Sequence, residues 1–588
     1  MIRTLGLLLL LFFSEYLPGQ TSFCPDDPPL NPFLAESPWP IYHRNNYAQS
    51  STCLRGPEAG DSLRVIAKTG IQGSTSPWTY LSDSYPNGER VLIQSNATHF
   101  FKITDQGGQL ETVDSIRIDF DPITSFGWNF LQLPDKVWFT YDSKYEPENN
   151  RYPSLYRIED VDSSDPYSPL EVVDTFSFQE LPVGVVQHFS INYAGQITFV
   201  SNENEATNAT TIGLLNTSFE LLDTLELTLL PGEITFHNAQ AIDENNSIYL
   251  VTTHRMIRFD WDGEQLSIGW EVPYDFVADG PTGSFAEGSG TTPTLMGWGA
   301  GQDQLVVVAD GHANNNLVAF WREIPDDWMG IPGEELRLAG KIQLPAAAIF
   351  SNLFQSIENS PCVSGYEIAV AQFNGFLGQD CPTIKGVQKL HWDTIANEWV
   401  LDWVNTDINM NGVLTYSRSS DLVYGAGRAD DCNYYYYALN WSDGSLSWDQ
   451  YIGPEGSFTN NPWDDGGNNH IIAESGDIYF SGGASLVKIE IVSRNSSSSN
   501  TPLIARRAPF TLYPNPASRR LQLALNEDIS LPARLIIRDS SGRRRTSRRI
   551  SGSTSQLNFP LLKPGVYVAE LRSNSGQILG VNRFIITD

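Results

Sequence analysis

Between about residues 60 and 492 one phrase keeps returning: an apolar strand, a polar loop and a second strand, often closed by an Asp-Gly turn and a tryptophan. Its apolar strands start at Arg90 (RVLIQS), Lys136 (KVWFTY), Gln196 (QITFV), Ser247 (SIYLV), Gln304 (QLVVVAD), Tyr366 (YEIAVAQ), Asp421 (DLVYGAG) and Asp477 (DIYFSGG), mostly fifty-odd residues apart. A repeat of that length made only of strands cannot bury both its faces alone, but stacked as four-stranded blades around an axis it can. The expected fold is all-β, a β-propeller of eight blades, with seven as the alternative. A β-helix would need shorter, more regular coils. The eighth unit breaks off near Val492, so a strand around Leu63 to Lys68 is expected to complete it and close the ring. Asp262-Gly263 and Asp443-Gly444 are hairpin signals. Trp270 and Trp448 recur just after them, and Trp403 takes the matching place in a phrase that lacks the turn.

Composition agrees with a turn-rich β protein: 12% aromatic residues, 47 Gly and 35 Pro among 588 residues. Residues 1–20 read as a signal peptide, with Arg3 as the positive start, Leu7 to Phe13 as a short apolar run and Gly19 near the cleavage point. That run is too short to span a bilayer, and no later segment is long and apolar enough to do so. Cys24 lacks the lipoprotein cleavage box before it. Five cysteines in an exported chain make disulfides an option; Cys24 with Cys53, and Cys362 with Cys381, are the expected pairs, leaving Cys432 over. Charge is uneven. From Ser493 onward there are 15 Lys and Arg against 5 Asp and Glu, and before it 22 against 64. So acidic a body disfavours nucleic acid and anionic membrane surface, and suits cations or neutral ligands such as glycans.

A polar, Ser-rich linker at 493–509 separates the body (21–492) from a last module at 510–588. That module reads as a small Ig-like antiparallel β-sandwich of about seven short strands, with turn chemistry at Ser541-Gly542 and Pro564-Gly565. Within it, Tyr513-Pro514-Asn515-Pro516-Ala517, Asp539 with Gly542, Leu562-Lys563-Pro564-Gly565-Val566-Tyr567, and the closing Arg583-Phe584-Ile585-Ile586 follow in order. The module resembles the type A C-terminal sorting domain of the type IX secretion system. The resemblance implies a Bacteroidetes-type cell, export to the periplasm, passage across the outer membrane by the type IX machinery, and a body released or held at the cell surface. The run Arg543 to Arg545 with Arg548 and Arg549 departs from the family pattern and is expected to form a solvated face.

The Asp-Gly…Trp phrases of the body are similar to quinoprotein (PQQ-like) propeller repeats, which implies the fold. The vicinal cysteine pair that flanks the quinone in the alcohol dehydrogenases is missing from the sequence. Propellers bind ligands at the channel mouth, so the segments just before the strand starts are where chemistry is expected. They carry His188, His237 and His470, in near-equivalent places of different blades, with Glu358 and Asp465 as carboxylates. Converging imidazoles could ligate a divalent metal or work as acid and base; the bland expectation is separate hydrogen-bonded loop residues. The Gly-rich run at Glu287 to Thr292 is followed by no lysine, so it reads as a turn between blades. Asp464 to Asn469 is dense in side-chain oxygens of the kind that hold Ca²⁺, and otherwise a solvated loop. Tyr434 to Tyr437 could stack on sugars, but alternation places two in the core and two on the surface. No GxSxG, HExxH or CxxC motif appears. The leading expectation is a secreted or surface-anchored propeller that binds a glycan or a surface protein. The alternatives are an oxidoreductase, lyase or hydrolase with a metal or quinone at the channel mouth, and a purely structural surface protein.

Overall fold

The computed structural model describes residue 24, most of residues 27–494 and most of 510–586; residues 1–23, 72–77, 119–129, 277–287, 347–356, 374–383, 456–461, 464–468 and 495–509, with some shorter stretches, lie outside the description. The expected signal peptide and nearly all of the expected linker fall in those stretches. The chain forms two compact units divided near residue 495.

The first unit holds eight antiparallel sheets in chain order, here blades 1 to 8. Blades 1 to 7 span residues 78–117, 131–177, 186–228, 241–273, 294–343, 362–405 and 415–453. Blade 8 takes Ile471–Ile472, Ile478–Gly482 and Ser485–Ser493 from the end of the unit and Ser62–Thr69 from its beginning, with Leu63 opposite Ile491 and Lys68 opposite Leu486. The eight-blade count and the closing strand are as the repeat predicts. Blade 8 then meets blade 1: Lys488 and Tyr479 both bond the Asp105 carboxylate (2.5 and 2.7 Å), and the Thr79 and Ser481 hydroxyls share a hydrogen bond.

One expectation is corrected. The apolar phrases that mark the repeat are not the innermost strands but the second ones, such as Ile197–Ser201, Leu305–Ala309 and Ile478–Gly482. The segments expected as loops before them contain the innermost strands, for example Val186–Ile191, Thr294–Met296 and Cys362–Ser364. Second strands are covered by a blade on each face and read as unbroken apolar runs. Innermost strands are short, buried on all sides and rich in polar residues, so neither alternation nor an apolar run betrays them. Burial between blades also decides the tyrosine run: Tyr434, Tyr436 and Tyr437 are all buried and only Tyr435 is partly exposed.

The turn–tryptophan phrases staple one blade to the next. Trp403, on the outermost strand of blade 6, donates its Nε1–H to the Trp441 carbonyl of blade 7 at 2.9 Å. It lies beneath the Asp443-Gly444 turn, where Gly444 has φ +70° and an ideal Cβ would stand 2.4 Å from the indole. Only glycine meets both conditions. Trp270 of blade 4 carries the Arg337 guanidinium of blade 5 at 4.7 Å from its ring centre.

Residues 24–56, before the first repeat, form a strap across one end of the channel. Innermost strands turn a free edge toward the axis, and the strap pairs with those edges. Ala35 N–H donates to the Gln132 carbonyl (blade 2), and the Asn46 side chain to that of Ile191 (blade 3). Carbonyls of Asn46, Tyr47, Gln49 and Ser50 then accept from Ile242, Leu295, Val363 and Tyr416 N–H, one from each of blades 4 to 7. Ser51–Thr52 adds a short parallel strand to blade 7. His43, Arg44, Ala48 and Ser50 all have positive φ, a conformation that costs a non-glycine residue about 1–2 kcal/mol, so tertiary contacts hold the path. Two bonds lock it. Asp27, 5% exposed, pairs with Arg44 at 2.5 Å and Arg418 at 3.0 Å. The Cys24–Cys53 disulfide closes the strap into a loop; closing a loop of that length contributes roughly 3–4 kcal/mol in the chain-entropy model.

The second expected disulfide is corrected: Cys362 is free and buried against the Ser50 carbonyl (3.2 Å), and burial pushes its thiol up to about 12. Cys432, expected to be left over, is disulfide-bonded, to a partner outside the described residues.

The second unit is a two-sheet sandwich. Phe510–Tyr513, Arg520–Leu525 and Thr554–Asn558 form one sheet; Arg544–Ile550, Ala533–Asp539, Gly565–Arg572 and Ile578–Ile586 form the other. Leu521, Leu523, Leu535, Ile537, Ala569 and Leu571 fill the core. Of the expected sorting motif, Tyr513 ends the first strand, Gly565 opens another, and buried Tyr567 donates its hydroxyl to the Lys563 carbonyl at 2.8 Å. Pro514, Asn515, Pro516 and Pro564 lie outside the described residues. Arg544, Arg545, Arg548 and Arg549 are exposed, as a solvated face requires.

Candidate functional site at the channel mouth

Just before the positions that pair with the strap, the segments entering the innermost strands of blades 4 to 8 are laced together blade to blade. Asn238 Nδ2 donates to the Ser289 carbonyl (2.8 Å), joining blades 4 and 5. Thr292 N–H donates to Ser360 Oγ (2.9 Å), joining 5 and 6, and Asn359 Nδ2 donates to the Asn411 carbonyl (2.6 Å), joining 6 and 7. Thr415 Oγ1 donates to the His470 carbonyl (2.7 Å), joining 7 and 8. Asn238 and Asn359 each reach one repeat length ahead, so these asparagines hold the blade spacing at the mouth.

The strap reaches into this ring. Tyr42, partly exposed, has its hydroxyl beside Thr292 and Ser360, and its ring meets Trp78 of blade 1 edge-on at 4.1 Å. His43 is fully buried, and its Nδ1 pairs with Ser50 Oγ at 2.9 Å while Nε2 has no partner. Burial, reinforced by the nearby His188, lowers its pKa well below that of an ordinary histidine, so it is neutral near pH 7. Asn469, 4% exposed, has neither amide atom paired.

Among the described residues, the two histidines expected at the mouth, His188 and His470, lie in different surroundings. His188 lies on the innermost strand of blade 3, beside His43 of the strap. His470 is fully buried with its ring against Tyr436 and Phe480, each 5.2 Å away, as part of the packing between blades 7 and 8. Glu358 lies over Gly290, where an ideal Cβ would stand 1.4 Å from its carboxylate. His237 and Asp465 lie outside the described residues, as does most of the Asp464 to Asn469 loop. Among the described residues no three His, Cys, Asp or Glu side chains come together as metal ligands. The sequence holds no vicinal cysteine pair of the kind that flanks a quinone in the alcohol dehydrogenases. Tyr42 and His43 escaped the sequence reading because they precede the repeat; the available signal was a polar, aromatic run (YHRNNYAQSST) leading into Cys53.

Fold and tail together define a β-propeller carrying an export module. Residues 511–587 match the family model of the secretion system C-terminal sorting domain, which marks the chain for secretion by the type IX system. The body is similar to an uncharacterized protein of Archaeoglobus fulgidus, 29% identical over 463 residues that cover 73% of this chain and 83% of that one. Among solved structures, a europium-containing methanol dehydrogenase is 9% identical with a TM-score of 0.46, covering 77% of this chain and 90% of that one. The periplasmic gluconolactonase PpgL of Pseudomonas aeruginosa is 10% identical with a TM-score of 0.38, covering 65% and 97%. PorZ, a surface component of the type-IX secretion system of Porphyromonas gingivalis, is 10% identical with a TM-score of 0.24, covering 86% and 75%. No helix among the described residues is long and apolar enough to cross a membrane.

Proposed function

We propose that this chain is a ligand-binding propeller that works outside the cell. It passes through the periplasm of a Bacteroidetes-type bacterium and crosses the outer membrane on its sorting tail, and it then holds a ligand at the channel mouth. The carrying observation is the set of buried polar atoms left without partners there, both amide atoms of Asn469 and Nε2 of His43. Buried polar groups in folded proteins are nearly always satisfied, so such a set is met by water or by a ligand that supplies the missing partners. The enzymatic reading draws on one feature, a neutral His43 beside His188, which suits a general base.

The test uses the full chain recovered from culture medium. Native mass spectrometry is expected to find a bound mass that the double variant His43→Gln/Asn469→Ala does not retain. A chain carrying no adduct, and showing no thermal shift with any surface polysaccharide or outer-membrane protein offered, would leave the structural-protein reading in its place. Removing residues 511–587 should retain the body in the periplasm.

A further inference from the structure

A second cavity opens at the strap end, where blades 5, 6 and 7 finish their innermost strands. It has a volume of about 430 Å³, and its walls include Trp298, Tyr366 and Tyr416, with Gln302, Ser364 and Arg418 as polar groups. Small-molecule sites occupy roughly 300–1,000 Å³, mostly with apolar and aromatic walls and a few placed polar groups, and this cavity fits that description.

Its aromatic walls are held in position. Gly297 (φ +69°) turns the chain into Trp298, and an ideal Cβ on it would stand 2.0 Å from the Asp303 carbonyl oxygen, so the turn requires glycine. The Gly297 carbonyl accepts from buried Arg322. Tyr366 donates its hydroxyl to the Asp303 carbonyl at 2.9 Å, and burial pushes that phenol up to about 12, so it stays a donor. Tyr416 stacks on Trp441 with ring centres 4.0 Å apart and 20° between planes, its hydroxyl on Asp421 at 3.1 Å. Trp298 meets the strap's Tyr47 edge-on at 6.4 Å. Little ordering remains to be done when a ligand arrives.

The polar groups indicate what that ligand is. Arg418 is ion-paired at 3.0 Å with Asp27, a carboxylate it shares with Arg44, and donates through Nε to Ser364 at 2.8 Å, so part of its charge and of its donor set is already engaged. Among the described residues, no carboxylate lines the cavity. The walls therefore call for an uncharged molecule with apolar faces to lie against aromatic rings and hydroxyl edges to meet an amide, a hydroxyl and a guanidinium. The acidic body also disfavours an anion. We infer that this cavity is a binding site for a neutral saccharide, at the strap end of the channel. The inference rests on the extracellular ligand-binding reading and names a ligand class for a second site.

The test is calorimetric titration of the full chain with short neutral oligomers of mannose, glucose and N-acetylglucosamine, beside sulfated and uronic-acid counterparts and a proline-rich peptide. A neutral oligomer is expected to bind saturably. Trp298→Ala should weaken it about tenfold or more, as loss of an aromatic anchor does. Trp298→Phe, which keeps a stacking face and the packing against Tyr47, should retain most of the affinity; matched thermal unfolding of both variants separates lost binding from lost folding. Binding only to the acidic oligomers or only to the peptide would overturn the saccharide class. No binding at all would overturn it too. Binding that Trp298→Ala leaves intact would overturn this cavity as the site while leaving the extracellular-binding reading standing.

Discussion

At the strap end of the channel, blades 4 to 7 each give an innermost-strand N–H to a strap carbonyl, and the strap's buried carboxylate, Asp27, faces two guanidinium groups. At the mouth, just before the innermost strand of blade 8, Asn469 is as well buried and neither of its amide atoms is answered. The two ends share a backbone architecture and differ in whether the chain itself supplies the last set of partners. Closing an edge internally stabilises the fold. Leaving polar groups buried and unmatched costs about 1–3 kcal/mol each unless something else supplies the bond. The strap end is thus built for stability and the mouth for occupancy, and substitutions at the two ends should differ in size and in their response to ligand.

The largest effect is expected from Asp27→Ala. It leaves the Arg44 and Arg418 charges, one of them almost fully buried, without a counter-charge, which typically costs 3–5 kcal/mol. Equilibrium urea unfolding of the body measures it. Asp27→Asn, which keeps a hydrogen-bond acceptor but not the charge, should fall between wild type and alanine. A loss below about 1 kcal/mol for alanine would mean that the strap does not hold the channel end closed in solution, and the comparison would fail.

His43, which joins the two ends, comes next. Its folded pKa is lowered by burial, with the charge of nearby His188 adding to it. An unfolded histidine titrates near 6.5, so at pH 7 and above both states are neutral and the group contributes no pH dependence. As pH falls below about 6.5 the unfolded chain takes up a proton that the folded chain refuses. Stability is then lost by up to about 1.4 kcal/mol per pH unit until the folded pKa is reached. His43→Gln should remove about one proton's worth of that slope between pH 6.5 and 5, and unfolding midpoints at several pH values read it directly. An unchanged slope would place the titration on other groups.

Much of this was legible in the sequence, for reasons particular residues make plain. Second strands such as Leu305–Ala309 are covered on both faces and announce themselves as apolar runs, so the blade count and the completing strand at Ser62–Thr69 follow from spacing and from the truncated last unit. Trp403 and Gly444 were visible as parts of two successive phrases of the repeat, although their meeting across two blades was not. The strap was illegible because its regularity is borrowed: Asn46, Tyr47, Gln49 and Ser50 match edges that lie hundreds of residues away, and no local period records that. His470 shows the opposite error. Its place in the repeat suggested convergence on the axis, but position along an innermost strand does not fix where the ring goes, and here it packs between Tyr436 and Phe480. Cys24 and Cys53 pair as expected, whereas the expectation for Cys362 failed for the same reason as that for His470, since Cys362 is held against the strap's Ser50 carbonyl, which nothing in the spacing foretells.

The smallest effect, and the sharpest for the comparison, belongs to Asn469→Ala. Were Asn469 bonded as Asn359 is to the Asn411 carbonyl, its truncation would cost about 1 kcal/mol, the usual net worth of such a bond. With both amide atoms unmatched, removing them relieves a desolvation penalty and opens a small cavity, two effects of similar size and opposite sign. The expected change is within about 0.5 kcal/mol of zero, or slightly stabilising, while Asn359→Ala destabilises. Adding the ligand inverts the order: it should raise the unfolding midpoint of wild type and of Asn359→Ala more than that of Asn469→Ala, because only the last has lost the groups the ligand satisfies. If Asn469→Ala instead costs as much as Asn359→Ala in the absence of ligand, its amide already has a partner in solution, and the mouth is a second stabilising end.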